Sequence, residues 1–285
     1  MASTVFPAAG GGVTQKVQEF TSTGSFVTPS NVSAVQVILV GGGGGAGYRK
    51  TNSAARRLGA AGGGGQYLDT LIAVTPGNTY TVTIGAGGAA STSLASNGGI
   101  GGNTTFGSLA TASGNGGGSS KDEASGTGTF TSQGGGGWSM ASSAGGGGGA
   151  GGPATMINQT SASNTNYVRG TLTSTRIANA GSPNLSGTST GYQIAGPGLN
   201  GFGHGGAGGW TTDLTLGINS GSFCYYSGTG SPGYFNEATS TNVAAVAPTA
   251  NTGDGGHGAS TQNVTNTTAD GTAGASGYAK VIYWS

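Results

Sequence analysis

The carboxylates are the first residues to test for chemistry, because a glycan-cleaving site needs two of them about 5–10 Å apart. The chain has eight: Glu19, Asp69, Asp122, Glu123, Asp213, Glu237, Asp254 and Asp270. Asp122 and Glu123 are adjacent in a Gly/Ser-rich stretch, where an extended chain points them apart. Asp213 lies near Trp210 and Glu237 near Tyr234, where either could sit in a carbohydrate groove, but no pair of carboxylates stands out. We therefore expect a protein that is not an enzyme.

The two histidines offer metal chemistry only if their loops converge. His204 and His257 both lie in glycine-rich contexts, GFGHGGAGG and GDGGHG. Metal ligation or contact with a glycan is one interpretation. Structural metal sites usually gather several Cys, His or carboxylate ligands, and no such constellation surrounds these residues. We expect each imidazole to fill a gap between glycine segments and to hydrogen-bond a carbonyl, with no metal and no cofactor bound.

Aromatic residues among small and polar residues give the clearest indication of a binding surface. Flat rings stack on sugar faces, and large amphipathic rings anchor interfaces. The alternative is that the rings fill space between glycine segments as core. The densest patch is SFCYYSGTGSPGYF at residues 222–235. The candidate binding residues are Tyr225, Tyr226, Tyr234, Phe235, Trp210, Trp138 and Tyr192.

Glycine dominates the elements that must position these residues. It accounts for 65 of 285 residues, where an average protein has about 7%. Five of its runs lie at 41–45, 62–65, 116–118, 134–137 and 145–149. Such runs fit a polyproline-II-like helix, with three residues per turn and a rise of about 3.1 Å, whose backbone groups bond sideways. Flexible linkers are the alternative, but the runs recur directly after strand patterns.

Strand patterns at both ends of the chain predict an all-β fold, a β-sandwich-like frame with almost no α-helix. The predicted strands are 17–21 and 25–28 as a hairpin, 34–40, 66–74 and 79–84 around a turn at 75–78, 103–112 as a strand pair or one bent strand, and 278–284. The last of these should close the sheet and bury its aromatic end. Residues 1–16 are predicted to be an arm, and 17–285 a single domain with a loop-rich insert at about 113–275.

Blocks that frame the whole chain resemble the glycine-rich domains of bacteriophage tail-fibre and tail-tip adhesin proteins. The blocks are FTSTGSFVTPSNVSAVQVILVGGGGGAG at 20–47, GGGGQYLDT at 62–70, VTPGNTYTVTIGAGG at 74–88, GGNTTFGSLATASGNGGG at 101–118 and GASGYAKVIYWS at 274–285. They keep the family's order. The Asn/Ser/Thr-rich insert at 154–198 departs from a regular array of glycine helices, and marks either a variable recognition region or a small subdomain.

The resemblance implies a β-sandwich joined to packed polyglycine-II helices whose loops bind the bacterial surface. It further implies a virion protein, assembled in the host cytoplasm, that docks to other virion proteins through its N-terminal arm and forms a homotrimer. The partner would be a host-surface glycan or an outer-membrane component. The alternative within this family is a structural role, as a head fibre, capsid decoration or tail ornament without host recognition.

The charge distribution excludes some partners and suggests one. Charged residues are 6% of the chain and the net charge is +1, which favours neither nucleic acid nor an anionic membrane. No apolar run approaches the ~20 residues of a membrane span. Four of the nine basic residues cluster in Arg49, Lys50, Arg56 and Arg57. This cluster either contacts an anionic surface polymer or an acidic virion neighbour, or is a solvated loop.

Overall fold

The computed structural model describes residues 13–47, 49–50, 57–58, 60–93, 96–118, 154–156, 168–170, 198–206, 210–211, 228–231, 234–236, 241–258, 260–261, 268–269 and 271–285. Within these residues there is no α-helix. The strands are β1 Gln15–Phe20, β2 Gly24–Val27, β3 Ala34–Val40, β4 Arg49–Lys50, β5 Arg57–Leu58, β6 Tyr67–Ala73, β7 Thr79–Thr83, β8 Thr104–Phe106, β9 Ala110–Ala112, β10 Ala154–Met156, β11 Val168–Gly170, β12 Trp210–Thr211, β13 Tyr234–Asn236, β14 Thr241–Val243, β15 Ser260–Thr261, β16 Thr268–Ala269 and β17 Tyr278–Trp284.

Two four-stranded antiparallel sheets form the frame, and the predicted all-β class is confirmed. Sheet 1 has the order β1-β17-β3-β6 and sheet 2 the order β2-β7-β8-β9. The C-terminal strand β17 pairs with both β1 and β3. The end of the chain therefore closes the sheet that its beginning starts.

Alternating side chains of both sheets meet in one hydrophobic core. Val35, Val37 and Leu39 are the fully buried inward residues of β3. From sheet 2, Phe26 and Phe106 are also fully buried, and their ring centroids lie 5.9 Å apart. This burial of one face of each strand is the pattern of a sandwich.

The expected hairpin at residues 17–28 is wrong. β1 pairs with β17 in sheet 1, whereas β2 pairs with β7 in sheet 2. The connection crosses between the sheets because Phe20 and Phe26 enter the same core from opposite sides. Burial of the aromatic C-terminus holds for Tyr283, which packs against Phe26, but not for Trp284, which is exposed.

Extended glycine-rich segments, here called rods, lie beyond one end of the sandwich. Eight are found among the described residues: rod 1 at 41–47, rod 2 at 60–66, rod 3 at 85–91, rod 4 at 98–102, rod 5 at 113–118, rod 6 at 203–206, rod 7 at 252–258 and rod 8 at 271–277. They bond to one another through their backbones. The runs at 134–137 and 145–149 lie outside the described residues.

Rod 1 is the centre of the bundle, and its hydrogen bonds repeat every three residues. Its successive N–H groups donate to rods 2, 4 and 8 in turn, through Gly41 to Gln66, Gly42 to Gly102, Gly43 to Ala275, Gly44 to Gly63, Gly45 to Gly99, Ala46 to Thr272 and Gly47 to Ala60. Its carbonyls accept from rods 3, 5 and 7. A repeat of three residues is the repeat of the polyglycine-II helix, so the predicted rod geometry is confirmed.

Six rods surround rod 1 in a closed ring. Backbone bonds join neighbours in the order 2, 5, 4, 3, 8, 7 and back to 2: Gly63 to Gly116, Gly98 to Gly118, Gly99 to Ala89, Gly274 to Gly88, Ala275 to Asp254 and Gly62 to Gly256. Rods 1, 2 and 8 continue the paired strands β3, β6 and β17, and rods 3, 4 and 5 continue β7, β8 and β9. Because the strands are antiparallel, rods that continue paired strands also run in opposite directions.

The close approach of the rods explains why glycine is required. A Cβ atom built on Gly43 would lie 2.0 Å from the carbonyl oxygen of Asp254. Rods of the ring tolerate side chains on their outer positions, so Ile100 in rod 4 is 63% exposed while Gly98 and Gly101 on either side of it are buried. Rods 3, 4, 6, 7 and 8 contain no long glycine run, and a search for runs alone does not find them.

Candidate functional site

Short strands cap the end of the rod bundle that is farthest from the sandwich. Rod 1 leaves β3 and is followed by β4, and β5 precedes rod 2, which returns to β6. Likewise β15 and β16 lie between the end of rod 7 and the start of rod 8. At about 3.1 Å per residue, a rod of this length places the caps roughly 20 Å from the sandwich. We call this the distal end.

Strand pairing joins the basic segment to the connection between rods 7 and 8. Strand β4 pairs with β16, so Arg49 lies opposite Ala269 and Lys50 opposite Thr268. Strand β5 pairs with β15 and sets Arg57 opposite Thr261. Three of the four clustered basic residues are thus on paired strands at the distal end, and Arg56 lies outside the described residues.

Three of the seven predicted binding residues occupy a three-stranded sheet, β12-β13-β14. Trp210 on β12 pairs with Tyr234 on β13, and Tyr234 pairs with Val243 on β14. Paired residues share a face of a sheet, so Trp210, Tyr234 and Val243 form one row across it. Val243, at the end of this row, is 38% exposed. Phe235 occupies the opposite face, between Thr211 and Asn242.

The aromatic sheet adjoins the distal end, because β13 packs beside β15. The backbone therefore brings Trp210 and Tyr234 close to the strands that carry the basic residues. The sequence did not predict this juxtaposition, since the two segments are more than 150 residues apart. Trp138, Tyr192, Tyr225 and Tyr226, the other predicted binding residues, lie outside the described residues.

A buried polar cluster is the second candidate, and its centre is Asp254 in rod 7. The Asp254 side chain is fully buried. Its Oδ1 accepts from the backbone N of His204 at 2.9 Å and lies 3.1 Å from His204 Nδ1. Its Oδ2 accepts from the backbone N and the hydroxyl of Thr229 at 3.0 and 2.9 Å. One carboxylate therefore joins rod 7 to rod 6 and to the segment 228–231.

The electrostatics of the cluster follow from burial opposed by hydrogen bonding. Burial raises the pKa of Asp254, but hydrogen bonds from His204 and Thr229 and the His204 charge outweigh it, so the pKa lies below its usual value. His257 is fully buried beside it, and desolvation lowers the pKa of that imidazole. His257 Nε2 lies 2.8 Å from the carbonyl oxygen of Thr229, which confirms the predicted carbonyl contact for this residue. The His204 ring instead contacts the Asp254 carboxylate.

This cluster is built to hold the chain together. Its atoms bond one another and the backbone of neighbouring segments, whereas catalysis also needs a reacting group held next to the acid–base pair. Asp254 was not singled out from the sequence, although an acidic residue between glycines in GDGG signals a side chain forced between close backbones. Among the described residues, no three His, Cys, Asp or Glu side chains form a group that could hold a metal ion.

Comparison with known proteins identifies the family. The glycine-rich domain family matches residues 21–284, and the chain therefore belongs to it. The match covers the rods, the distal end and every strand of the sandwich except β1. No curated protein matches the chain. In the part of the chain that the structure describes, no helix is long and apolar enough to cross a membrane.

Proposed function

We propose that this member of the glycine-rich domain family is a non-catalytic fibre or tail-tip protein of a bacteriophage particle that recognises the host-cell surface. The observation that carries the proposal is the difference between the two ends of the molecule. Thr14 and Ser285 exchange backbone hydrogen bonds in the sandwich, whereas the aromatic sheet and the basic strands lie by the distal end of the rods. One end is suited to attachment and the other to recognition.

The rod bundle supports this role because it is a rigid spacer. Each ring rod bonds both to rod 1 and to its neighbours, so the distal connections are mounted on a base that cannot easily shear. Binding residues are often found on loops held by a rigid scaffold. The length and composition of such loops can vary while the glycine contacts beneath them stay the same.

Assembly would act through the sandwich end. We propose that residues 1–16, of which Gln15 and Lys16 belong to β1, dock onto other virion proteins. We propose a homotrimer on the particle, formed in the host cytoplasm. Several copies would raise weak contacts with a host glycan or outer-membrane component to useful avidity.

The second candidate function is a structural virion component without host recognition. The observation that favours it is the apolar outer face of sheet 1, where Val17 is 49%, Leu71 68% and Trp284 44% exposed. Exposed apolar patches of this kind mark interaction surfaces. If contacts made by this face of sheet 1 account for the whole function of the protein, the distal end binds no receptor.

The test is adsorption of the purified, assembled protein to intact and polysaccharide-stripped host cells, in competition with the parent phage. The double variant Trp210→Ala/Tyr234→Ala removes the distal aromatic pair, and Trp284→Ala removes an aromatic ring from the sandwich end. We expect saturable adsorption that blocks infection, is lost in the double variant and is kept in Trp284→Ala. Absence of adsorption by a correctly assembled protein would refute the adhesin role and favour the structural one.

A further inference from the structure

Resting on the proposed function, we infer that the distal end binds an anionic carbohydrate polymer. A basic residue of β4, Arg49 or Lys50, and Arg57 of β5 engage its acidic groups, and the row that begins with Trp210 and Tyr234 engages its sugar rings. The inference assigns a ligand class and a place on the molecule to the recognition step.

Charge is concentrated in the two connections that pair at the distal end. The paired strands β4, β5, β15 and β16 contain three basic residues, Arg49, Lys50 and Arg57, and no acidic residue. Their net charge is therefore +3, while the whole chain has a net charge of +1, so the remainder is −2. A positive site on an otherwise weakly negative molecule directs a polyanion to that site alone.

The pairing of the strands holds this charge in a fixed arrangement. β4 and β5 lie side by side, and β15 contacts both β4 and β16. β4 is hydrogen-bonded to β16 and β5 to β15, and Cα atoms of β4 and β5 lie within 8 Å of each other. Basic residues of two chain segments are therefore close enough to meet one polymer that carries several charges.

Groups for the uncharged part of a sugar polymer lie at the same place. Three of the four residues on β15 and β16 have hydroxyls, Ser260, Thr261 and Thr268, and hydroxyls both donate and accept hydrogen bonds. β13 packs beside β15, which brings Tyr234 and its partner Trp210 next to these strands. Basic, hydroxyl and aromatic residues together fit a charged glycan better than a purely ionic ligand.

Nucleic acid is a poorer fit for the same surface. Tight binding to nucleic acid commonly uses 6–10 phosphate contacts, and this site has a net charge of +3 in a chain with 6% charged residues. An anionic glycan needs fewer contacts, because sugar rings between the charges contribute stacking and hydrogen bonds. Binding to DNA is therefore an outcome that the experiment must include.

The experiment compares two charge-matched double variants. Arg49→Gln/Lys50→Gln removes two positive charges from β4 at the distal end. Lys16→Gln/Lys280→Gln removes two from sheet 1, where Lys16 is exposed and Lys280 is paired with Glu19 at 3.2 Å. Each assembled protein is titrated with polygalacturonate, poly(glycerol phosphate), neutral dextran and double-stranded DNA, with thermal unfolding as a check on the fold.

We expect binding to one or both anionic carbohydrate probes, weakened at least tenfold in the β4 variant and by less than twofold in the sheet 1 variant. The two probes distinguish uronic acid from phosphate as the source of charge. Equal losses in both variants, equal binding to dextran, or DNA binding as tight as that of the carbohydrates would overturn the inference.

Cell adsorption, measured in parallel, separates this inference from the proposed function. Adsorption to host cells that persists undiminished in Arg49→Gln/Lys50→Gln, without binding to either anionic probe, refutes the ligand class and leaves the adhesin role standing. Probe binding that depends on β4, without any adsorption to cells, supports the ligand class and refutes the adhesin role.

Discussion

Two sets of rods in one bundle are held in place by different means. Rods 1 to 5 and rod 8 continue strands of the sandwich, whereas rods 6 and 7 follow segments outside it. The first set receives its position and direction from the antiparallel sheets. No strand of the sandwich sets the position of rods 6 and 7. Contacts made by large or charged side chains position them instead.

Phe202 and Asp254 are the residues that fix the second set. The Phe202 ring, next to rod 6, stacks on Tyr278 with 5.2 Å between centroids and on Tyr67 with 6.2 Å. Asp254 then bonds rod 7 to His204 in rod 6. Both sets are bonded through backbone and side-chain groups, but only the first set also continues strands whose pairing sets its register. In the second set, where no sandwich strand sets the register, Phe202 and Asp254 supply additional contacts.

The largest loss of stability is expected from Gly43→Ala. This variant tests rod 1, the centre of the bundle, which continues strand β3. The new Cβ would lie 2.0 Å from the Asp254 carbonyl oxygen, and backbone cannot move aside in a bundle bonded on every side. We expect a loss of at least about 3 kcal/mol in the free energy of unfolding, or failure to fold. Urea unfolding followed by circular dichroism measures it.

The matched control is Gly64→Ala in rod 2, whose Cβ would lie 1.9 Å from the carbonyl oxygen of Gly203 in rod 6. The clash is as severe, but it involves a peripheral rod. We expect rod 6 to detach while the sandwich and ring remain folded. Equal global losses in the two variants would contradict the distinction between the two sets.

The second-largest loss of stability is expected from Asp254→Asn, which tests the side-chain bonds that hold rod 7 to rod 6 and to Thr229. The buried carboxylate accepts bonds from both His204 and Thr229, and an amide presents donors to some of them. We expect a loss of about 2–4 kcal/mol, with faster amide hydrogen exchange at Gly203 and Thr229 than in rod 4. Asp69→Asn, at an exposed carboxylate bonded to Gln36, should change stability little; a similar loss there would refute the fastening role.

The pH dependence of stability should also originate in rod 7. Burial holds the pKa of His257 below its ordinary 6.5, and hydrogen bonds hold that of Asp254 below 3.8 despite its burial. The unfolded chain therefore takes up protons first as pH falls. Stability present at neutral pH should decline below about pH 6.5, and again below about 3.8, by at most about 1.4 kcal/mol per pH unit for each group.

Urea midpoints between pH 8 and pH 3 measure this dependence. His257→Gln should remove the decline that begins near pH 6.5 and leave the one that begins near 3.8. An unchanged upper decline in that variant would assign the proton uptake to another group.

Thr272→Val should have the smallest effect. The Thr272 hydroxyl accepts from the backbone N of His257 at 2.8 Å, while the backbone bond from Thr272 N to the His257 carbonyl is kept. Because rod 8 continues into strand β17, loss of one hydrogen bond there should lower the free energy of unfolding by about 1 kcal/mol. A loss as large as that of Asp254→Asn would show that rod 8, too, depends on side chains for its register.

The candidate site was predictable only in its parts. Trp210, Tyr234, Arg49 and Lys50 could be singled out by residue type, but their proximity depends on β13 packing beside β15. Asp254 could be recognised as unusual among glycines, yet its partners come from residues 204 and 229. Such pairings depend on how distant segments meet, and residue type carries no information about that.

The all-β class, the strands around the core and the polyglycine-II geometry could be predicted from local sequence patterns, because alternation of side chains and runs of glycine are local properties. The packing of distant segments was needed to show that residues 17–28 cross between sheets, that rods without glycine runs join the ring, and that rod 1 is its centre. The physical reason is that glycine is required where two backbones approach within a Cβ distance. The antiparallel sheets set that approach for the rods that continue their strands. Side-chain contacts help to set it for rods 6 and 7.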